Sequence, residues 1–186
     1  MWFIAIVVPP RPNRLWGADS TSVRTRAGFV YAALVTDVFS RKIVGWVLSD
    51  SMRAEVLPLQ ALNQAIISVK ETNGLVYHSD HGSQYVSMVY HDRLTDAGIT
   101  ASTESVGDSD NNALDENVNG SYNNELITNH RWNDVLEVEI ATFEWVNWWN
   151  QIRVHQALDY RTLVEVENEY WHITDVSEKI KTRANA

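Results

Sequence analysis

The sequence predicts an α/β fold with a mixed five-stranded sheet, three antiparallel strands followed by two parallel ones, flanked by helices. Three observations carry this. Three apolar segments between Leu15 and Ser49 are joined by short turns, which only antiparallel neighbours allow. A helix-period segment follows, long enough to cross over to a parallel strand. After it come a buried strand, a second helix and a short strand.

Trp16 to Val23 is mixed in character, Phe29 to Val38 is nearly all apolar, and Lys42 to Leu48 is apolar again. Turn residues separate them at Ala27-Gly28 and at Phe39-Ser40-Arg41. From Ala54 to Val69, the residues Leu62, Ala65, Ile66 and Val69 share one helical stripe, with Pro58 tolerable only near the first turn. Gly74 to Tyr77 reads as a buried strand running into His78-Ser79-Asp80, so Asp80 falls at a strand's carboxyl end, where loops aim side chains from a rigid sheet. A helix near Val86 to Ala97 and a strand around Ile99 to Ser102 complete the sheet.

Ser105 to Asn111 reads as a loop entering a helix from about Asn112 to Leu126. Leu114, Val118, Tyr122 and Leu126 form its core-facing stripe. Asn112, Glu116, Asn119 and Asn123 fall together on roughly the opposite side, so Glu116 is expected to point outward from a rigid element. The asparagines and Gly120 weaken this helix intrinsically, and tertiary packing must hold it. A last helix is expected from Asp134, capped by that residue with Glu137 reaching back, to about Asn150. Its Ile140, Phe143, Trp145, Trp148 and Trp149 exceed one narrow stripe, which implies burial on several sides or against another subunit.

The chain has 186 residues, of which 45% are hydrophobic, enough to bury the core of one domain. Residues 11–172 are expected to form that core, with 1–10 a leader and 173–186 a tail. The absence of cysteine excludes disulfides and thiolate metal sites and fits the cytoplasm. The apolar run Trp2 to Val8 is too short to span a membrane and lacks the basic residues of a secretory signal. No Gly-rich phosphate loop is present, which removes nucleotide-driven chemistry.

Asp19, Asp80 and Glu116 come from two strands and a helix, and they form a set of hard oxygen ligands suited to two magnesium or manganese ions. Asp19 is assigned the position between the ions. Cutting a phosphodiester needs that pair, to generate a nucleophile and to neutralise charge on both oxygens. Asp37 ends a strand before a turn, where capping backbone amides is the commoner role, and it is left out of the ligand set. His78 and His81 flank Asp80 without the further imidazoles a zinc site requires.

Around these acids stand Leu15-Trp-Gly-Ala-Asp19-Ser-Thr21, Asp37-Val-Phe-Ser-Arg-Lys-Ile-Val-Gly-Trp46, His78-Ser-Asp-His-Gly-Ser-Gln-Tyr85 and Gly107-Asp-Ser-Asp-Asn-Asn-Ala-Leu-Asp-Glu116. In order, they resemble the catalytic core of OrfB-type insertion-sequence transposases, the DDE group related to retroviral integrases. Thirty-five residues separate Asp80 from Glu116, the spacing that names the group. The resemblance runs from about Arg11 to Tyr170 and includes Asn150-Gln-Ile-Arg-Val-His155. It implies a ribonuclease-H-like fold, strand cleavage and strand transfer with two Mg2+ or Mn2+ ions, DNA partners in the transposon ends and target, and a homo-oligomer. His81, Asn119, Asn123, Arg153 and His155 are the expected DNA contacts, with Arg161 a further phosphate candidate.

Three features depart from the family. The basic residue usual seven positions after the Glu is Asn123, the position after the second Asp is His81, and the apolar position after the first is Ser20. The net charge of −9 opposes long-range attraction to DNA, and two divalent ions offset under half of it. Family members also carry an upstream helix-turn-helix region, so a fragment or shortened copy is expected. The alternatives are a non-catalytic remnant that acts through assembly, or a ribonuclease-H-like nuclease or resolvase without strand transfer.

Overall fold

The computed structural model describes residues 9–50, 57–69, 71–79, 88–102 and 118–184. Its sheet has the expected five strands, β1 (Leu15–Thr25), β2 (Gly28–Asp37), β3 (Ile43–Ser49), β4 (Val76–Ser79) and β5 (Thr100–Ser102), in the order β3-β2-β1-β4-β5. β1, β2 and β3 pair antiparallel, while β4 pairs parallel with both β1 and β5. The crossovers run through α1 (Leu57–Ser68) and α2 (Met88–Asp96). Gly45 lets α1 approach closely: a Cβ there would lie 2.2 Å from the Ala61 carbonyl oxygen and 2.9 Å from the Ala65 Cβ.

β2 is buried on both faces, which explains its nearly continuous apolar sequence. Ala33 and Val35 join Trp16, Leu62, Ala65 and Tyr77 in a core under α1 and α2. Ala32 and Leu34 join Val118, Tyr122, Trp145 and Trp149 in a second core on the opposite face. That face is covered by α3, which is α-helical over 118–121 and continues as a π-helix at Tyr122–Ile127, and by α4 (Val135–Gln151). A short antiparallel pair, β6 (Val154–His155) and β7 (Arg161–Thr162), leads into α5 (Leu163–Ala184). α5 passes residue 172 without a break, so no change of secondary structure marks the expected end of the core.

Asp134 caps α4 as its sequence predicts, accepting from the Glu137 amide at 3.0 Å. Glu137 reaches back one residue further than a capping box requires, to the Asn133 amide at 2.7 Å. The Trp-rich surface of α4 divides. Trp145 and Trp149 are buried, while Leu136, Ile140 and Phe143 are more than half exposed.

Candidate active site

Asp19 sits in the middle of β1, opposite Leu34 of β2 and one residue beyond the Ala18↔Ser79 pairing with β4. Strand alternation turns Trp16 and Ala18 toward the α1 core and Asp19 toward the α3 face. There the Asn119 side-chain amide donates to Asp19 Oδ2, while Oδ1 accepts from the Ser20 amide at 2.6 Å. One step further, Asn123 Nδ2 donates to Thr21 Oγ1 at 3.3 Å. The spacings agree, because four residues of helix advance about 6 Å and two residues of strand nearly 7 Å. Two asparagines on one helix therefore meet alternate residues of one strand.

This changes the expected orientation of α3. Val118 and Tyr122 do point into the core, but Asn119 is only 8% exposed and lies on the flank of that stripe, against β1, rather than on an outward face. The two positions are 100° apart on a helix, close enough for a broad apolar stripe and a polar flank to touch the same sheet. Asn119 Oδ1 is buried without a hydrogen-bond partner. Asp80, His81 and Glu116 lie outside the described residues. Among the described residues, no three His, Cys, Asp or Glu side chains converge on one point.

Arg153 and His155 are engaged with other residues of the chain. Arg153 donates to Glu125 Oε1 at 2.6 Å and to His155 Nδ1 at 3.0 Å, and its guanidinium lies 4.5 Å from the centroid of the Trp149 ring. His155 is buried edge-on against the same Trp149, and burial followed by the Arg153 charge pushes its pKa down. Arg153 can only donate, so His155 Nδ1 accepts from it, and a hydrogen bond with the Trp149 backbone works against the lowering. Asn150, from the same stretch, pairs both ways with the Ile43 backbone at 2.9 and 2.8 Å and ties α4 to β3. Arg161 pairs with Glu169 at 2.5 Å.

Asp37 is a structural cap. It is buried, accepts from the Asn13 amide, the Ser40 amide and the Ser40 hydroxyl, and burial raises its pKa. His78 is buried within β4. A cleft of about 740 Å³ opens beside the start of β1, crossed by the Lys42–Glu167 ion pair. It contains none of the predicted site residues, whereas Asp19 and Asn119 line a shallow recess with Leu34, Thr36 and Val118. Chemistry favours the recess. Sequence reasoning missed Glu125, which stands in no motif, and the pairing of Thr21 with Asn123, because the partners are 28 and 102 residues apart.

Two family models, each described as "Integrase core domain", match residues 9–109 and 97–162. The chain is 46% identical over 164 residues to the transposase for insertion sequence element IS629 of Shigella sonnei. It is 34% identical over 157 residues to the transposase for insertion sequence element IS904 of Lactococcus lactis. These alignments cover 88% and 84% of the chain but 55% and 62% of the relatives, so it spans little more than half their length. Among solved structures, the HTLV-2 integrase catalytic core domain in complex with magnesium matches with a TM-score of 0.65 at 19% identity, covering 85% of this chain and 98% of that one. The BIV integrase catalytic core domain matches at 0.55 and 14%, covering 87% and 98%.

Proposed function

Because the chain belongs to the integrase core domain family and has the fold of retroviral integrase catalytic cores, we propose that it is the catalytic core of an insertion-sequence transposase. In this reading it cuts a DNA strand and joins the freed 3′ end to target DNA, with Asp19, Asp80 and Glu116 as its ion-holding acids. The observation that carries it is the meeting of β1, the end of β4 and α3 around Asp19.

Asp80 follows Ser79, the partner of Ala18. Asp80 is thus the next residue in the chain after the β4 position that pairs beside Asp19. Glu116 precedes Asn119, the residue that meets Asp19, by three positions in the sequence. The donor set of this reading suits magnesium or manganese: the Asp19 carboxylate, oriented by Asn119 and the Ser20 amide, the unsatisfied Asn119 oxygen on the same helix flank, and the carboxylates of Asp80 and Glu116. When bound, two such ions supply a nucleophile at neutral pH and charge neutralisation at both phosphodiester oxygens.

The protein's own part is to hold and orient. Asp19, which would hold the ions, is kept in place by Asn119 and Ser20, so its carboxylate would need little reorganisation. DNA ends and target DNA are the partners of this reading, and a second copy of the chain fits the exposed Leu136, Ile140 and Phe143. No helix among the described residues is long and apolar enough to cross a membrane, and the proposed setting is the cytoplasm.

The test is manganese-dependent nicking and joining of labelled insertion-element ends. Asp80→Asn should lower the rate about a thousandfold, the effect of losing several kcal/mol of transition-state stabilisation. Equal cutting by the variant defeats the assignment, and nicking without joined products leaves a nuclease.

One observation favours a second reading, a core that assembles without cutting. Asn123 places a neutral amide on Thr21 where the family pattern supplies a cation. Asn123→Lys should raise nicking and steepen its salt dependence by one phosphate contact. Metal binding with no cleavage in either form would establish the remnant.

A further inference from the structure

We infer that Arg153 is a positioning residue that acts on Asp19 through Glu125 and α3, rather than a contact to DNA. The inference rests on the proposed site and adds to it.

Four observations lead there. First, α3 changes from α to π geometry at Tyr122, one residue short of Asn123 and three beyond Asn119. A π-turn takes in an extra residue and alters the direction in which the preceding turn presents its side chains, and such turns recur at functional sites. Second, the π-turn is fastened from outside. Glu125 lies within it and receives Arg153 at 2.6 Å on one oxygen and the Trp145 indole at 3.3 Å on the other. Tyr122 shares a buried hydrogen bond of 2.7 Å with Thr142 of α4. Third, α3 carries several asparagines and Gly120, poor helix formers that would not hold a π-turn unaided. Fourth, Arg153 is committed: one amino group goes to Glu125, another to His155, and its guanidinium carbon lies over the Trp149 ring. A guanidinium so engaged is a fastener before it is a phosphate ligand.

The path is short. Arg153 and Trp145 hold Glu125, Glu125 holds the π-turn, and about 9 Å of helix separates it from Asn119, whose amide holds the Asp19 carboxylate. Asn150, Arg153 and His155 all make contacts within the chain, on β3, on α3 and against Trp149 respectively. The resemblance of that stretch to transposases thus has a structural meaning in this chain.

The test is a double-mutant cycle on the full chain, Arg153→Gln, Glu125→Gln and both together, with the exchange Arg153→Glu/Glu125→Arg as rescue. Manganese-dependent nicking, half-saturating manganese and DNA affinity at several salt concentrations are read for each. Each single change should lower turnover roughly tenfold and raise half-saturating manganese. The double change should be no worse than either single, the exchanged pair should recover part of the loss, and the salt slope of DNA binding should stay constant. If Glu125→Gln behaves as the wild type while Arg153→Gln lowers the salt slope by about one, Arg153 is a phosphate contact and the inference is overturned.

Hydrogen exchange separates this from failure of the nuclease reading, because it needs no activity. Both single variants should lose protection of the amides of residues 122–128 while α1 and β2 keep theirs. Unchanged protection overturns the inference even if the wild type never cuts DNA. Should the exchanged pair not fold, the two glutamine variants still decide.

Discussion

Asp37 and Asp19 show how two acids on neighbouring strands come to different ends. Both could be taken for metal ligands by residue type. Asp37 is closed in by the Asn13 amide, the Ser40 amide and the Ser40 hydroxyl, and burial raises its pKa because the charged form loses water. Its oxygens already serve the turn. Asp37→Ala should therefore destabilise the fold by about 1–3 kcal/mol, leaving two amides without acceptors. A lower urea midpoint with unchanged half-saturating manganese is the expected result. A change in metal affinity alone would return Asp37 to the ligand set. Asp19, by contrast, faces a helix flank that supplies one amide. The difference was legible in the strand-then-turn setting of Asp37, whereas nothing in the residues around Asn119 told that its amide would turn inward.

At the scale of elements, what could be read depended on whether a pattern is local. The meander, the α1 crossover and the Asp134 cap all follow from periodicity and turn chemistry within a few residues, and each stands within about three positions of its expected place. The π-turn of α3 had no such signal. It depends on Glu125 and Tyr122 finding partners on and beyond α4, which no window of α3 contains. Close packing of α1 on β3 was equally hidden, since Gly45 reads as a weak strand residue until a helix backbone is seen above it. Gly45→Ala should force that helix outward and lower stability by about 1–3 kcal/mol, measurable as a fall in the thermal midpoint. An unchanged midpoint would mean that α1 yields without cost.

For the molecule as a whole, the acidic total and the buried His155 both bear on its response to solution conditions. The depressed pKa of His155 means that the unfolded chain takes up its proton first. Stability from this group is complete above pH 6.5 and declines as pH falls from there toward the lower folded value. Arg153, Arg41 and Glu125 are the charges around it, two opposing protonation and one favouring it. Urea midpoints should fall between pH 7 and pH 5, and His155→Gln, which still accepts from Arg153, should flatten that slope. An equally steep variant would assign the effect to other groups. The whole-chain charge of −9 was read as an obstacle to binding DNA, and it remains one. Arg153 offers little relief, because its charge is already paired with Glu125.

Arg14 donates to the carbonyls of Asn73 and Gly74, and a Cβ on Gly74, whose φ is +72°, would lie 2.2 Å from that guanidinium. This clasp ties the residue before β1 to the turn before β4 just where Leu15 meets Val76. Sliding β1 by one place would carry Asp19 to the other side of the sheet. Screens for inactive variants should therefore return changes at Arg14 and Gly74, residues remote from Asp19 along the chain, and such clones would also melt early, because the same slip turns Trp16 and Ala18 out of the core.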